Sequence, residues 1–106
     1  MKKVKFTTLN EIENNCIDKN TADKVKAVVA IIKAFSNVKM VVDGSEIRFY
    51  MKCTNDVEHS NNVTAYGVLV NLIDAHYKVG SSLWDDDVNG VHYEVVDINF
   101  NNWILE

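Results

Sequence analysis

Two hydrophobic periods alternate along this chain, and the switches between them mark out its elements. Val4 and Phe6 alternate with Lys3 and Lys5, which predicts a short N-terminal strand with one buried face. Thr8-Leu9-Asn10-Glu11 then has the form of a capping box. The Thr8 hydroxyl accepts from the Glu11 amide, and the Glu11 carboxylate reaches back to the Thr8 amide. A short helix over about residues 9–16 follows, with Leu9, Ile12 and Cys16 on one side, and Asp18-Lys19-Asn20 ends it. Asn20 or Thr21 caps a second helix over about residues 22–36. Its stripe is Val25, Val28, Val29, Ile32 and Phe35, widened by Ala27, Ile31 and Ala34. Only a narrow line through Asp23, Lys26 and Lys33 is left for solvent, so this helix is expected to be mostly buried.

The period then drops to two. Val38, Met40 and Val42 lead to Asp43-Gly44, and Ile47, Phe49, Met51 and Cys53 alternate with Glu46, Arg48, Tyr50 and Lys52. A two-residue turn at Asp43-Gly44 pairs Met40 with Ile47 and Val38 with Phe49, which brings both apolar sets to one face. Residues 54–61 are polar and read as a loop. A helix over about residues 62–78 has Tyr66, Leu69, Val70, Ile73 and Tyr77 inside and Thr64, Asn71, Asp74 and Lys78 outside. Gly80 is placed to cap it, with Lys78 near the negative end of the dipole. In the last quarter Asn89-Gly90 is a type I′ hairpin signal. The strand after it, to about Phe100, is rich in Val, Tyr and Ile, whereas the one before it carries Asp85-Asp86-Asp87, although aspartate is depleted in strands. Trp103-Ile104-Leu105 reads as a docked apolar tail.

These elements give the order β-α-α-β-β-α-β-β. The expected fold is α+β: an antiparallel sheet of four to five strands, with two main helices and one short helix packed on one face. The 106 residues suit one domain over 1–106.

Composition changes this picture little, and charge changes it more. Proline is absent, so turns fall to Gly, Asn, Asp and Ser. No run approaches the roughly 18 apolar residues of a membrane span, and the basic start is not followed by an apolar stretch. A cytoplasmic location is therefore expected, with Cys16 and Cys53 as reduced core thiols rather than a disulfide. Residues 1–53 carry a net charge of +4 and residues 54–106 a net charge of −8, against −4 for the whole chain. Such asymmetry indicates where a charged partner docks.

Four constellations bear on chemistry. Asp85, Asp87, Asn89 and Gly90 match the opening of an EF-hand calcium loop, but Val96 stands where its bidentate glutamate belongs and a strand follows instead of a helix. The hairpin register sets Asp87 opposite His92, a pairing that raises a histidine pKa and suits either acid–base work or a surface ion pair. No nucleophile elbow, zinc-type spacing or phosphate loop accompanies it or the other histidines, His59 and His76, so no catalytic residue, metal site or cofactor is assigned. The lysines of the first half are interspersed with acids and joined by a single arginine, which disfavours direct nucleic-acid binding. Last, Asp85, Asp86 and Asp87 lie beside Trp84 and Tyr93, with Glu94, Asp97, Asp56 and Glu58 extending the charge.

Together these features lead to a protein-binding inhibitor rather than an enzyme. It would use Trp84, Asp85, Asp86, Asp87, Tyr93, Glu94 and Asp97 to block a basic partner such as a nuclease or another nucleic-acid-binding protein. In role and charge, not in sequence, it compares with toxin-immunity proteins and with phage anti-defence factors of the anti-CRISPR kind. The alternatives are a homodimer or adaptor joined through a sheet edge or Trp103-Ile104-Leu105, and a small enzyme or calcium-responsive domain.

Overall fold

A computed structural model of the protein describes residues 4–12, 19–43, 46–72 and 83–100. Two antiparallel hairpins make the sheet. In the C-terminal one, β3 (Trp84–Val88) and β4 (Val91–Asn99) join through Asn89 at φ 52° and Gly90 at φ 79°. Two consecutive left-handed residues are what a type I′ turn requires, and the register follows as expected, with Val88 opposite Val91 and Asp87 opposite His92. In the other hairpin, β1 (Val38–Asp43) and β2 (Glu46–Lys52), the expected register is displaced by two residues. Met40 faces Phe49 rather than Ile47, Val38 faces Met51 rather than Phe49, and the ladder continues to Asp43 opposite Glu46. The connection therefore falls at positions 44–45, outside the described residues. A slip of two leaves every side chain on its face, so the apolar pattern is satisfied by either register. The observed one adds a pairing beyond Val42–Ile47 and lets Arg48 reach the Asp43 carboxylate at 2.9 Å.

Strands β2 and β4 pair antiparallel, which makes the order β1-β2-β4-β3. The expected N-terminal strand is not a fifth member. It contributes one bridge, in which the Thr7 amide donates to the Met40 carbonyl at 2.9 Å. The single turn α1 (Leu9–Glu11) keeps half of its capping box: the Glu11 amide donates to the Thr8 hydroxyl at 3.2 Å, but the Glu11 carboxylate accepts from the Thr7 hydroxyl instead of the Thr8 amide. Helix α2 (Lys19–Lys33) begins three residues before its expected start. Helix α3 (Asp56–Leu72) begins six residues before its own, so residues 56–61 are helix and not loop. The Glu58 amide donates to the Asn55 side chain at 2.8 Å, and the Glu58 carboxylate accepts from the Thr54 amide at 2.8 Å and from the Thr54 hydroxyl. This is a reciprocal cap, and it outweighs the polar composition of the first two turns. Ile73, His76, Tyr77, Gly80, Cys16 and the Trp103-Ile104-Leu105 tail lie outside the described residues.

Helices α2 and α3 lie side by side on one face of the sheet, α2 against β1 and α3 against β4. Between the layers are Met40, Ile47, Phe49, Met51, Val96 and Ile98 from the strands, and Val25, Val28, Val29, Ile32, Ala65 and Leu69 from the helices. α2 is less buried than its wide stripe suggested. Ala27 and Ala30 are exposed, because one sheet face and one neighbouring helix cover only part of its circumference, and Ala34 and Phe35, expected in its last turn, are exposed beyond its end at Lys33. The other face of the sheet has its own cluster of Tyr50, Val88, Tyr93 and Val95, against which Val4 and Phe6 pack. Phe6 meets the edge of Tyr50 with ring centroids 5.3 Å apart and planes at 79°, a favourable aromatic geometry.

The two faces predict different costs. Phe49→Ala empties the main core and should destabilise by about 3–5 kcal/mol. Phe6→Ala strips the cover from the second cluster and should cost about 1–2 kcal/mol from lost apolar burial and aromatic contact. Urea unfolding measures both, and a neutral Phe6→Ala would show that the N-terminal segment does not stabilise the sheet.

Candidate functional site

Strand parity divides the acidic run that stood out in the sequence. Asp85 and Asp87 leave β3 on the side of the sheet that carries the helices, with 70% and 76% of their side chains exposed. They hold His92 between them, with Nδ1 at 2.6 Å from Asp87 and Nε2 at 3.1 Å from Asp85. The hydrogen bond to Asp87 raises the His92 pKa above its ordinary value, with burial opposing it and the contact with Asp85 assisting. Asp86 emerges on the opposite face and accepts from the Tyr50 hydroxyl at 2.9 Å. Burial, reinforced by that carboxylate, pushes the Tyr50 pKa up to about 12.

The remaining candidates are spread across both faces. Trp84 is half-buried, its indole donating to Asp97 at 3.1 Å and its ring edge-on to Tyr50 at 6.1 Å. Asp97 also lies 3.7 Å from Arg48, and burial raises its pKa despite the indole and the guanidinium. These residues, with Val4, Thr7 and Val41, wall an open groove of about 710 Å³. Tyr93 is buried in the aromatic cluster and is not available as an interface anchor. Glu94 is also buried, so it extends no surface patch. Asp56 and Glu58 sit in the first turn of α3, where they complement its dipole.

Around Glu94 the structure assembles a group that sequence reasoning missed. Its Oε2 lies 2.8 Å from Nδ1 of His59. Its Oε1 accepts from the Asn62 amide at 3.0 Å, and the same Asn62 nitrogen donates to the Lys52 carbonyl at 3.1 Å. Asn62 is buried, and its Oδ1 has no hydrogen-bond partner among the described residues. Cys53, a free thiol just past β2, faces the same carboxylate. Burial and the hydrogen bond to Glu94 push its pKa up to about 11, so at neutral pH it is a thiol and not a nucleophilic thiolate. The cluster draws on the end of β2, the first two turns of α3 and the middle of β4.

Part of this was legible. Asn55-x-x-Glu58 is a helix-start signature, and it places His59 and Asn62 three residues apart on one helix face. Glu94 shares parity with Val96 and Ile98, which already turns it toward the helices. That Cys53, His59 and Glu94 meet depends on the strand order, which no local signal contains. No protein-family model, curated protein or solved structure matches the chain.

His92 supplies a pH prediction. A histidine whose folded pKa is raised adds stability that is fully present below its unfolded value and is lost as pH rises through the folded value. The His92 ring should therefore titrate above about 6.5, the ordinary value, and Asp87→Ala should bring it back down. Proton NMR of the imidazole reads both midpoints. Equal midpoints in the two proteins would show that the Asp87 contact does not persist in solution.

Proposed function

We propose that this protein is a non-catalytic binding protein that captures a basic partner on its β3–β4 hairpin and occludes that partner's nucleic-acid-binding surface. The observation that carries the reading is the placement of Asp85 and Asp87. They project from one face of the edge strand β3, remain largely exposed, and are spaced by the strand's two-residue period. Strand geometry presents alternate residues as a row of charge, and carboxylates in such a row suit lysine and arginine side chains that otherwise grip phosphates. The net charge of −8 over residues 54–106 favours capture of a cationic surface at long range.

The set of contact residues is narrower than the one expected. Asp85 and Asp87 are the contact charges. His92 is the resident partner of both carboxylates, which the docking side chain displaces. Asp86, Trp84 and Asp97 belong to the opposite face, while Glu94 and Tyr93 support the hairpin from within. The role corresponds to that of small acidic inhibitors such as toxin-immunity or phage anti-defence proteins, acting in the cytoplasm.

Affinity capture from the native host or its target cell tests the proposal, with the wild type and the Asp85→Lys, Asp87→Lys double variant run side by side. A basic nucleic-acid-binding protein should dominate the wild-type eluate, weaken as salt is raised, and be lost with the double variant at unchanged circular dichroism. An eluate without such a protein, or one that the double variant retains, sinks the reading.

A further inference from the structure

The Cys53, His59 and Glu94 group has no part in the docking just described, and its chemistry is of another kind. A thiol sulfur, an imidazole nitrogen and a carboxylate oxygen lie within 4.8 Å of one another. Cys53 follows β2, His59 lies in α3 and Glu94 in β4, so the arrival of Glu94 beside the other two is a product of the fold and not of local sequence. Burying a carboxylate is costly unless it is paired or bound to a cation. Glu94 is 5% exposed, and among the described residues its carboxylate is met by one imidazole, one amide and the Cys53 thiol.

We propose that Cys53, His59 and Glu94 form a binding site for a zinc ion. The donor set selects the metal. Calcium and magnesium take oxygen ligands and do not favour sulfur, whereas zinc binds thiolate, imidazole and carboxylate together. The geometry is close to what zinc requires. Nitrogen and oxygen ligands at about 2.0–2.1 Å from a tetrahedral ion lie about 3.3 Å apart. The His59–Glu94 separation of 2.8 Å therefore opens by a fraction of an ångström, while the Cys53 sulfur, within 4.8 Å of both, closes on the pair. Coordination releases the Cys53 thiol proton to solvent, and His59 carries its remaining ring proton on the nitrogen turned away from the ion.

Two further features fit a metal site. Ligating carboxylates are characteristically held by outer hydrogen bonds. Glu94 is held in this way by Asn62, which is itself anchored on the Lys52 carbonyl. His59 is 58% exposed, which leaves a route in from solvent. Three protein ligands leave the fourth position to water. The neighbouring His92 group does not compete as a site, because its two nitrogens point to opposite edges of the ring, one to Asp87 and one to Asp85, and do not converge on one centre.

Cobalt(II), a spectroscopic stand-in for zinc, tests the proposal on the full chain. Titration should reach one equivalent with a thiolate-to-cobalt charge-transfer band and intense tetrahedral d–d bands, and zinc should displace the cobalt. Cys53→Ser should abolish the charge-transfer band, and Cys16→Ser should keep it. His59→Ala and Glu94→Gln should each weaken binding ten-fold or more, and His92→Ala should leave it unchanged. The melting temperature should rise with zinc and fall back with chelator. Absence of the charge-transfer band, its persistence in Cys53→Ser, or an affinity indifferent to both His59→Ala and Glu94→Gln overturns the proposal. Asp85 and Asp87 are not ligands, so loss of the metal site and loss of partner capture are separable results.

Discussion

Strands β2 and β4 lie in the interior of a four-stranded sheet, and both carry large apolar side chains on both faces. Ile47, Phe49 and Met51 point one way from β2 and Tyr50 points the other. Val96 and Ile98 point one way from β4 and Tyr93 and Val95 the other. A sheet of this kind needs two covers, and one helical layer supplies only one of them. Helices α2 and α3 take the first face. The second is covered by Val4 and Phe6, together with the aromatic contacts among Tyr50, Tyr93 and Trp84. That requirement explains why the N-terminal segment leaves the ladder after a single bridge at Thr7: its side chains are worth more lying across the sheet than extending its edge.

Glu94 is the exception that the same constraint creates. By parity it faces the helical layer, but it lies toward the β3 end of the sheet, where α3 begins and its turns are polar. An apolar residue there would meet Asn62 and His59. A carboxylate meets two hydrogen-bonding partners instead, and each of its oxygens is satisfied. The polar first turns of α3 and the buried glutamate of β4 are thus complementary, and Cys53 completes the group at the end of β2.

The acidic run obeys the alternation of the strand in a similar way. Three consecutive carboxylates look like one patch on paper, yet β3 sends Asp86 to one face and Asp85 and Asp87 to the other. Each face then finds its own compensation, a tyrosine hydroxyl for Asp86 and an imidazole for the other two. The carboxylates are thus paired within the protein on both faces, and the pair on the side of His92 stays largely exposed.

Local signals determined the elements of this protein. The Asn89-Gly90 turn, with its two left-handed residues, set both the register of β3–β4 and the pairing of Asp87 with His92. Helical spacing marked Val25, Val28, Val29 and Ile32 as core, and alternation marked Ile47, Phe49 and Met51. In these cases a short stretch of backbone carries all the information needed. It did not suffice in the β1–β2 hairpin, where a two-residue slip leaves the binary pattern unchanged, or at the start of α3, where capping by Asn55 and Glu58 outweighs composition. Only the tertiary structure decided that β2 and β4 are neighbours, because pairing between strands of separate hairpins depends on what each face must bury. That adjacency turned Glu94 and Tyr93 from surface candidates into buried ones, and it brought Glu94 to within ligand distance of Cys53 and His59, more than 30 residues earlier in the chain.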